Sequence, residues 1–128
     1  MEVFVQVQLY QVQNKDLIFQ KLSSSKFRSK FNLNQELVSY VQKKGLVEIE
    51  NHARELIQKR ISPKKISNDG NQTPFNKHPV FVAQHATATC CRKCIKKWHG
   101  IKMNQELSSD EQDYIVSLIM RWIRKNSD

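Results

Sequence analysis

The stretch from Leu46 to Ile61, LVEIENHARELIQKRI, decides the fold class of this chain. Apolar residues recur in it every three or four positions and form one stripe along a helix: Leu46, Ile49, Ala53, Leu56, Ile57 and Ile61. Pro63 lacks a backbone N–H and cannot continue the helix, so the pattern predicts an amphipathic helix that ends just before it. We therefore expect a fold assembled from helices.

Upstream of this stretch, shorter apolar patterns predict two more helices. Residues 16–22 carry apolar side chains that can face inward and end in a serine cluster, and Phe27 and Phe31 follow as expected core anchors. Residues 34–44 show helical spacing after an asparagine cap. Gly45 suits the left-handed end of that helix.

Downstream, the chain predicts a short buried run followed by two helices. The buried run is Val80–Ala83, and Thr87 or Thr89 can cap a helix that carries the cysteines and stops at Gly100. The capping box Ser108-Ser109-Asp110-Glu111 begins a final helix. Its inward side carries a long apolar stripe: Tyr114, Ile115, Leu118, Ile119, Trp122 and Ile123. Together these patterns predict a compact, mainly α bundle of about five helices.

A single helical domain is expected over residues 14–126. Residues 62–79 collect Ser, Pro, Lys, Asn, Asp and Gly and predict one long internal loop, a kind of segment that is usually functional or mobile. Residues 1–13 form an N-terminal extension in which every second residue from Val3 to Leu9 is aliphatic. This alternation predicts a short β-strand, which could form an edge hairpin or pair with a second copy in a homodimer.

Length and composition are typical of a cytoplasmic globular protein. The 128 residues suit one hydrophobic core, and 39% hydrophobic residues with 3 Gly and 3 Pro exclude a low-complexity chain. No apolar run approaches the roughly 20 residues that cross a bilayer, and residues 1–13 lack the features of a secretory signal. The odd number of cysteines argues against a secreted disulfide framework. We expect a cytoplasmic protein without membrane contact.

The chain carries a formal net charge of +9, from 21 Lys and Arg against 12 Asp and Glu. Such a charge attracts polyanions, since basic side chains release the counterions that surround phosphates. Nucleic acid is therefore a candidate partner. The basic residues are spread along the chain, however, so a merely solvated basic surface is the alternative interpretation.

All 3 cysteines and two of the 4 histidines fall within the stretch from His85 to His99. Thiolate and imidazole are the side chains that hold zinc or an iron-sulfur cluster. On a helix, the third cysteine shares a face with either of the other two, so two thiolates can converge, and histidines before and after them could complete a tetrahedron. The sequence predicts a zinc site with ligands drawn from six residues: His78, His85, Cys90, Cys91, Cys94 and His99.

Other interpretations of this cluster stay open. Zinc is preferred to an iron-sulfur cluster, because the chain has a single CxxC, Cys91 to Cys94, and lacks the usual repeated spacings. The thiols could also pack as small buried side chains. A third interpretation is an enzyme in which a cysteine is a nucleophile or an open-site metal ligand, His85 or His99 moves protons, and the long loop covers the pocket. Phosphate-binding glycine loops and paired catalytic carboxylates are missing.

Three segments of the chain resemble a known family. They are Lys26-Phe27-Arg28, the run from His78 to Arg92 (HPVFVAQHATATCCR), and Trp98-His99-Gly100-Ile101. On these segments the chain resembles the family called domain of unknown function 4186, over roughly Asp16 to Arg124. The resemblance implies a small, stand-alone, mostly bacterial domain in which the central motif is important, and it implies no particular activity.

Overall fold

The computed structural model describes residues 15–128, and within this range it contains seven helices and no β-strand. The helices are α1 (15–24), α2 (Lys26–Ser29), α3 (Gln35–Lys44), α4 (Leu46–Arg60), α5 (Pro79–Ala86), α6 (Arg92–His99) and α7 (Ser109–Asn126). The predicted mainly α class is confirmed. None of these helices has the length and apolar character needed to span a membrane. The expected strand of residues 1–13, and the homodimer contact suggested for it, lie outside the described residues.

Helices α4 and α7 pack against each other and form the centre of the core. On α4, Ile49, Ala53 and Ile57 are completely buried. Helix α7 presents an equally buried row to the core: Ile115, Ile119 and Ile123. Burying an aliphatic side chain of this size stabilises the folded state by roughly 1.5–3 kcal/mol. The core therefore covers most of the stripe that predicts α4 from sequence, while Leu46 at its start is exposed.

Helix α5 lies where the sequence predicts only a short buried run. Pro79 occupies its first turn, and His78 caps it by accepting a hydrogen bond from the Val80 amide at Nδ1, at 3.0 Å. All residues of α5 except Phe81 are buried. A helix buried all round has no polar face, so apolar periodicity gives no helical signal for it.

The predicted ends of the other helices are largely confirmed. Gly45 and Gly100 have φ angles of +85° and +70°, which suit glycine because it lacks a Cβ atom. The Oδ1 atom of Asn34 accepts a hydrogen bond from the Leu37 amide and caps α3. The capping box of α7 is complete, since Ser108 and Glu111 each accept a hydrogen bond from the other's amide.

Arg92 ties the irregular segments of the fold together. Its buried guanidinium donates to the carbonyl oxygens of five residues: Ile61, Ser62, Pro63, Lys102 and Gln105. These carbonyls belong to the segments that follow α4 and α6, where no helix supplies backbone partners. The charged guanidinium of Arg92 supplies the hydrogen-bond donors that these carbonyls would otherwise lack, and it fixes both segments to the start of α6.

The two expected core anchors behave differently. Phe31 is half-buried and packs against the core, as predicted, but Phe27 is 41% exposed. The single-turn helix α2 turns Arg28 inward. Because neighbouring residues of a helix point about 100° apart, this orientation leaves Phe27 at the surface.

Candidate metal centre

Three thiols converge where the turn after α5 enters α6. The Sγ atoms of Cys90, Cys91 and Cys94 lie within 4.8 Å of one another, and they form a group of potential metal ligands in the described part of the chain. A tetrahedral zinc ion with Zn–S bonds of about 2.3 Å holds its sulfurs about 3.8 Å apart. The observed spacing therefore suits one metal ion bound by three thiolates.

Helix α6 begins later than predicted, which changes where the cysteines lie. Its N-cap is Cys91, whose Sγ accepts a hydrogen bond from the Cys94 amide at 3.4 Å, and the predicted caps Thr87 and Thr89 were wrong. The two threonine hydroxyls instead lie 3.0 Å apart inside the buried turn. Cys90 thus precedes the helix, and the thiols converge because the turn folds back and not because they share a helical face.

The turn contains one residue in an unfavourable backbone conformation. Ala88 has a φ of +59°, which costs an L-residue on the order of 1 kcal/mol. Its side chain is completely buried beside Ile18 and Leu22 of α1, and this packing holds the conformation. Backbone strain of this kind is often found at functional sites.

Arg28 brings a positive charge to the thiols. Its side chain reaches inward from α2, and Nη2 donates to Sγ of Cys94 at 3.1 Å. Nη1 donates to Sγ of Cys90 at 3.6 Å and to the carbonyl oxygen of His85 at 2.8 Å. Burial opposes the charged form, but the hydrogen bonds to the two cysteines outweigh it and raise the pKa of Arg28. A thiolate at this point is therefore paired with a permanent cation.

The surroundings make the three thiols unequal. Hydrogen bonds to Cys90 and Cys91, with a further contribution from Arg28, lower the pKa of Cys94 well below its ordinary value despite burial. Hydrogen bonds to the other two cysteines, together with burial, raise the pKa of Cys90. For Cys91, the hydrogen bond with Cys90 favours the thiolate. The hydrogen bond with Cys94 and burial outweigh it, so the pKa of Cys91 is raised. Within the cluster, these surroundings favour a thiolate on Cys94 over one on Cys90 or Cys91.

The long loop supports the site at two points. The carboxylate of Asp69 accepts hydrogen bonds from the amides of Arg92 and Lys93, at 2.9 and 3.2 Å. It thereby satisfies amides that the first turn of α6 leaves without partners. The hydroxyl of Thr73 donates to the carbonyl oxygen of Cys90 at 2.7 Å. Loop residues thus fix both the start of α6 and the backbone of the first cysteine.

Arg28 connects the backbone carbonyl of His85 to the thiols, and the long loop determines the tautomer of the His85 ring. Its Nε2 atom lies 3.1 Å from the carbonyl oxygens of both Thr73 and Pro74, so Nε2 carries the proton and Nδ1 has the lone pair. Burial lowers the pKa of His85, although the two carbonyls oppose this, and the imidazole is neutral at pH 7. Phe75 stacks on the ring with the two centroids 4.2 Å apart.

His99 contacts the α5–α6 turn and α7. Its Nε2 atom lies 2.9 Å from the carbonyl oxygen of Thr87, and its Nδ1 atom lies 3.0 Å from the hydroxyl of Tyr114. Burial lowers the pKa of His99 and raises that of Tyr114 to about 12, so both are neutral at pH 7. Nε2–H then donates to the carbonyl and Tyr114 donates to Nδ1.

His78 lies in a second group of imidazoles. Its Nε2 atom is 3.3 Å from Nδ1 of His52, while its Nδ1 atom caps α5. Burial, followed by the neighbouring His52, lowers the pKa of His78 to about 4. Of the six predicted ligands, the structure therefore brings together the three cysteines, and the three histidines make other hydrogen bonds. The full ligand set remains a prediction.

Sequence reasoning does not identify Arg28, Asp69 or Thr73 as parts of the site. For Arg28 there was a signal, because Lys26-Phe27-Arg28 is one of the segments that resemble the family. Asp69 looks like an isolated acid in a loop, and Thr73 is an ordinary loop residue. Their partners are backbone groups that only the fold brings near, so the sequence carries no signal for them.

A protein family described as a domain of unknown function (DUF4186) matches the chain over residues 16–124. The matched range includes the three cysteines, Arg28 and the loop residues that support them. No solved structure is significantly similar to the chain.

Proposed function

The chain belongs to the DUF4186 family, and we propose that it holds a Zn²⁺ ion through the thiolates of Cys90, Cys91 and Cys94. The observation that supports this most strongly is the mutual proximity of the three Sγ atoms. Thiolates are the ligands that structural zinc sites use most, whereas iron-sulfur clusters usually need four cysteines at repeated spacings. Zinc is therefore the preferred occupant.

Charge balance supports the same proposal. Zn²⁺ with three thiolates carries one net negative charge, and the guanidinium of Arg28 lies within hydrogen-bond distance of two of the sulfurs. A partly buried anionic centre is far less costly with a paired cation than alone. Because a thiol must lose its proton to ligate a metal, zinc binding should release protons from the cluster.

Among the predicted histidine ligands, His85 is the candidate for the fourth coordination position. Both ring nitrogens of His99 are engaged, but Nδ1 of His85 has its lone pair free of the contacts made by Nε2. If His85 does not turn toward the ion, water or a partner's ligand takes the position. The first arrangement is a closed, structural site, and the second is an open one.

Metal analysis of the purified protein tests the zinc proposal. We expect about one zinc per chain, a loss of zinc in Cys94→Ser, and thiolate-to-metal charge-transfer bands when cobalt replaces zinc. His85→Gln changes the cobalt spectrum if His85 is the fourth ligand, and His52→Gln is the matched control. A protein that binds neither zinc nor cobalt, with its three thiols reduced, would disprove the proposal.

Nucleic acid is the partner that we propose for this zinc-binding module. The formal net charge of +9 and the pI near 9.6 support a polyanion partner. Retention on immobilised DNA should weaken steeply with salt, because neutralised phosphates release counterions. Elution at low salt from both DNA and heparin would argue for a merely solvated basic surface.

An enzyme is the second candidate function, and the partly exposed thiol of Cys94, whose pKa its neighbours lower, favours it. A thiolate stabilised by a guanidinium attacks electrophiles at neutral pH. Iodoacetamide should then alkylate Cys94 first in the zinc-free protein, with release of iodide, and Cys94→Ser should abolish the fast phase. Slow, equal alkylation of all three thiols would exclude this candidate.

A further inference from the structure

The positive charge of the molecule is concentrated around the thiol cluster. Residues 17–35 and 70–105 contain ten lysines and arginines and no aspartate or glutamate, while the rest of the chain contains eleven basic and twelve acidic residues. The two stretches are joined in the fold, since α2 packs against α5 and Arg28 binds the thiols. Charge that is spread along the sequence thus becomes one basic region. The carboxylate of Asp69, which directly precedes the second stretch, accepts hydrogen bonds from the amides of α6.

Aromatic rings are exposed in the same region. Phe27 is 41% exposed and Phe75 is 61% exposed. Both belong to one contiguous cluster, because Phe31 contacts the Phe27 ring edge-on at 5.3 Å and lies within 9° of parallel to Phe75 at 6.3 Å. One face of Phe75 rests on His85, so the opposite face is open to solvent. Exposed rings beside a cluster of charge commonly mark a binding surface.

Cations lie beside the rings of this region, both at the surface and, for the buried Arg28, beneath it. Nζ of Lys30 lies 4.6 Å from the centre of the Phe27 ring, and the guanidinium of Arg28 lies 4.9 Å from it on the side of the thiols. Trp98 is 6.0 Å from the same guanidinium. Lys97, the neighbour of Trp98, is exposed. This interleaving of aromatic faces and positive charges is the arrangement that holds single strands in other proteins.

We propose that a single-stranded nucleic acid binds across this surface, with a base stacked on Phe75 and phosphates bound by Lys26, Lys30 and Lys97. The open face of Phe75 needs a base that is free to stack, and the bases of a duplex are already stacked on one another. The inference rests on the proposed function, because the zinc-held turn positions α6 beside α2. The inference specifies that the nucleic acid is single-stranded and names the surface to which it binds.

Fluorescence anisotropy with a labelled oligonucleotide of about 12 nucleotides tests the surface, since single-strand sites span about 4–16 nucleotides. We expect the single strand to bind more tightly than the same sequence as a duplex. Phe75→Ala should weaken single-strand binding about tenfold, because stacking contributes about 1–3 kcal/mol per base. Phe75→Trp should bind about as tightly as the wild type, because tryptophan also offers an aromatic face. Phe27→Ala should act in the same direction but more weakly, because the Phe27 ring contacts Lys30 and Phe31. Val47, which is 79% exposed on α4, provides the matched control Val47→Ala.

The contribution of the lysines to binding is tested by two double variants that each remove two positive charges. Lys26→Ala with Lys30→Ala should weaken binding and lower the salt slope by about 1–2, while Lys43→Ala with Lys44→Ala on α3 should change neither. Equal effects of the two double variants, unchanged binding by both phenylalanine variants, or tighter binding of the duplex would overturn the proposal. The proposal would also be overturned if the protein bound phosphatidylglycerol vesicles but did not bind the single strand.

Zinc content, measured on the same samples, separates this inference from the proposed function. A zinc-loaded protein that binds no single strand refutes the surface and leaves the zinc site standing. A protein that binds the strand without any zinc refutes the zinc site and leaves the surface standing. Circular dichroism of each variant verifies that the substituted proteins are folded.

Discussion

Arg28 and Cys94 are 66 residues apart in the chain, and their contact adds to the hydrogen bonds from Cys90 and Cys91 that lower the pKa of Cys94. The guanidinium reaches the thiol because Ser25 caps the single-turn helix α2 and directs Arg28 inward. A lysine could not replace it fully, since one ammonium lacks the planar fork that contacts two sulfurs and a carbonyl together. The electrostatics of the site therefore combine local contacts among the cysteines with one long-range side-chain contact.

The imidazole of His78 makes the stability of the protein depend on pH. In an unfolded chain the ring takes up a proton near pH 6.5, whereas burial and His52 lower the pKa of folded His78 to about 4. Between these values the unfolded state binds more protons, so the free energy of unfolding falls as the pH falls from about 6.5 to about 4. Burial of His85 and His99 acts in the same direction.

His78→Asn should remove part of this pH dependence while keeping the cap of α5, because the asparagine Oδ1 can accept the Val80 hydrogen bond. Urea unfolding of the zinc-free protein at pH 7 and pH 4.5 measures the effect. We expect the wild type to lose about 1–2 kcal/mol more than the variant, a figure reduced for the partial exposure of the ring. Equal losses in both proteins would show that His78 is not responsible.

At the scale of elements, helix α6 depends on partners from outside itself. Cys91 caps it through sulfur, a weak acceptor, and Asp69 supplies the two stronger acceptors from the long loop. The side chain of Gln72 donates to the same carboxylate and holds it in place. The position of Cys94 therefore depends on a loop that precedes it by more than twenty residues.

Asp69→Ala should lower the free energy of unfolding by about 1–2 kcal/mol, because the amides at the start of α6 lose a charged acceptor. Asp69→Asn keeps one acceptor oxygen without the charge and should cost less. Urea denaturation of the zinc-free proteins measures both, and metal titration should show weaker zinc binding in the alanine variant. If both variants match the wild type, the loop does not stabilise α6.

At the scale of the whole molecule, the packing of α4 on α7 and the thiol cluster are separate sources of stability. The core contains fully buried side chains from both helices, so the fold does not require a metal for its main contacts. A metal bound to the thiols would join the α5–α6 turn, α6 and, through Arg28, helix α2. We therefore expect a protein that folds without zinc and becomes more stable with it.

Zinc at about one hundred times its dissociation constant should stabilise the folded chain by about 2.7 kcal/mol, which raises the thermal midpoint by on the order of 10 °C. Differential scanning calorimetry with zinc and then with excess chelator measures this shift. The triple variant Cys90→Ser, Cys91→Ser, Cys94→Ser should show no zinc-dependent change. A shift that persists in the triple variant would place the zinc elsewhere.

The sequence by itself determined the helical class, the main helices and most of their ends, because these depend on residues that are neighbours in the chain. The stripe of α4, the glycine stops and the capping box of α7 are all local signals. It also indicated the metal-ligand character of the cysteine cluster, since side-chain chemistry and short spacing need no fold to be recognised.

Only the tertiary structure decided how that cluster is built. Helix α5 gave no periodic signal because it is buried on all sides, and the start of α6 depends on Asp69 and not on the nearby threonines. Arg28 contacts thiols that are distant from it in sequence. Likewise, the two stretches that contain no acidic residue, 17–35 and 70–105, meet only in the folded chain. Long-range contacts of this kind arise from the packing of the whole chain, and no local pattern of residues encodes them.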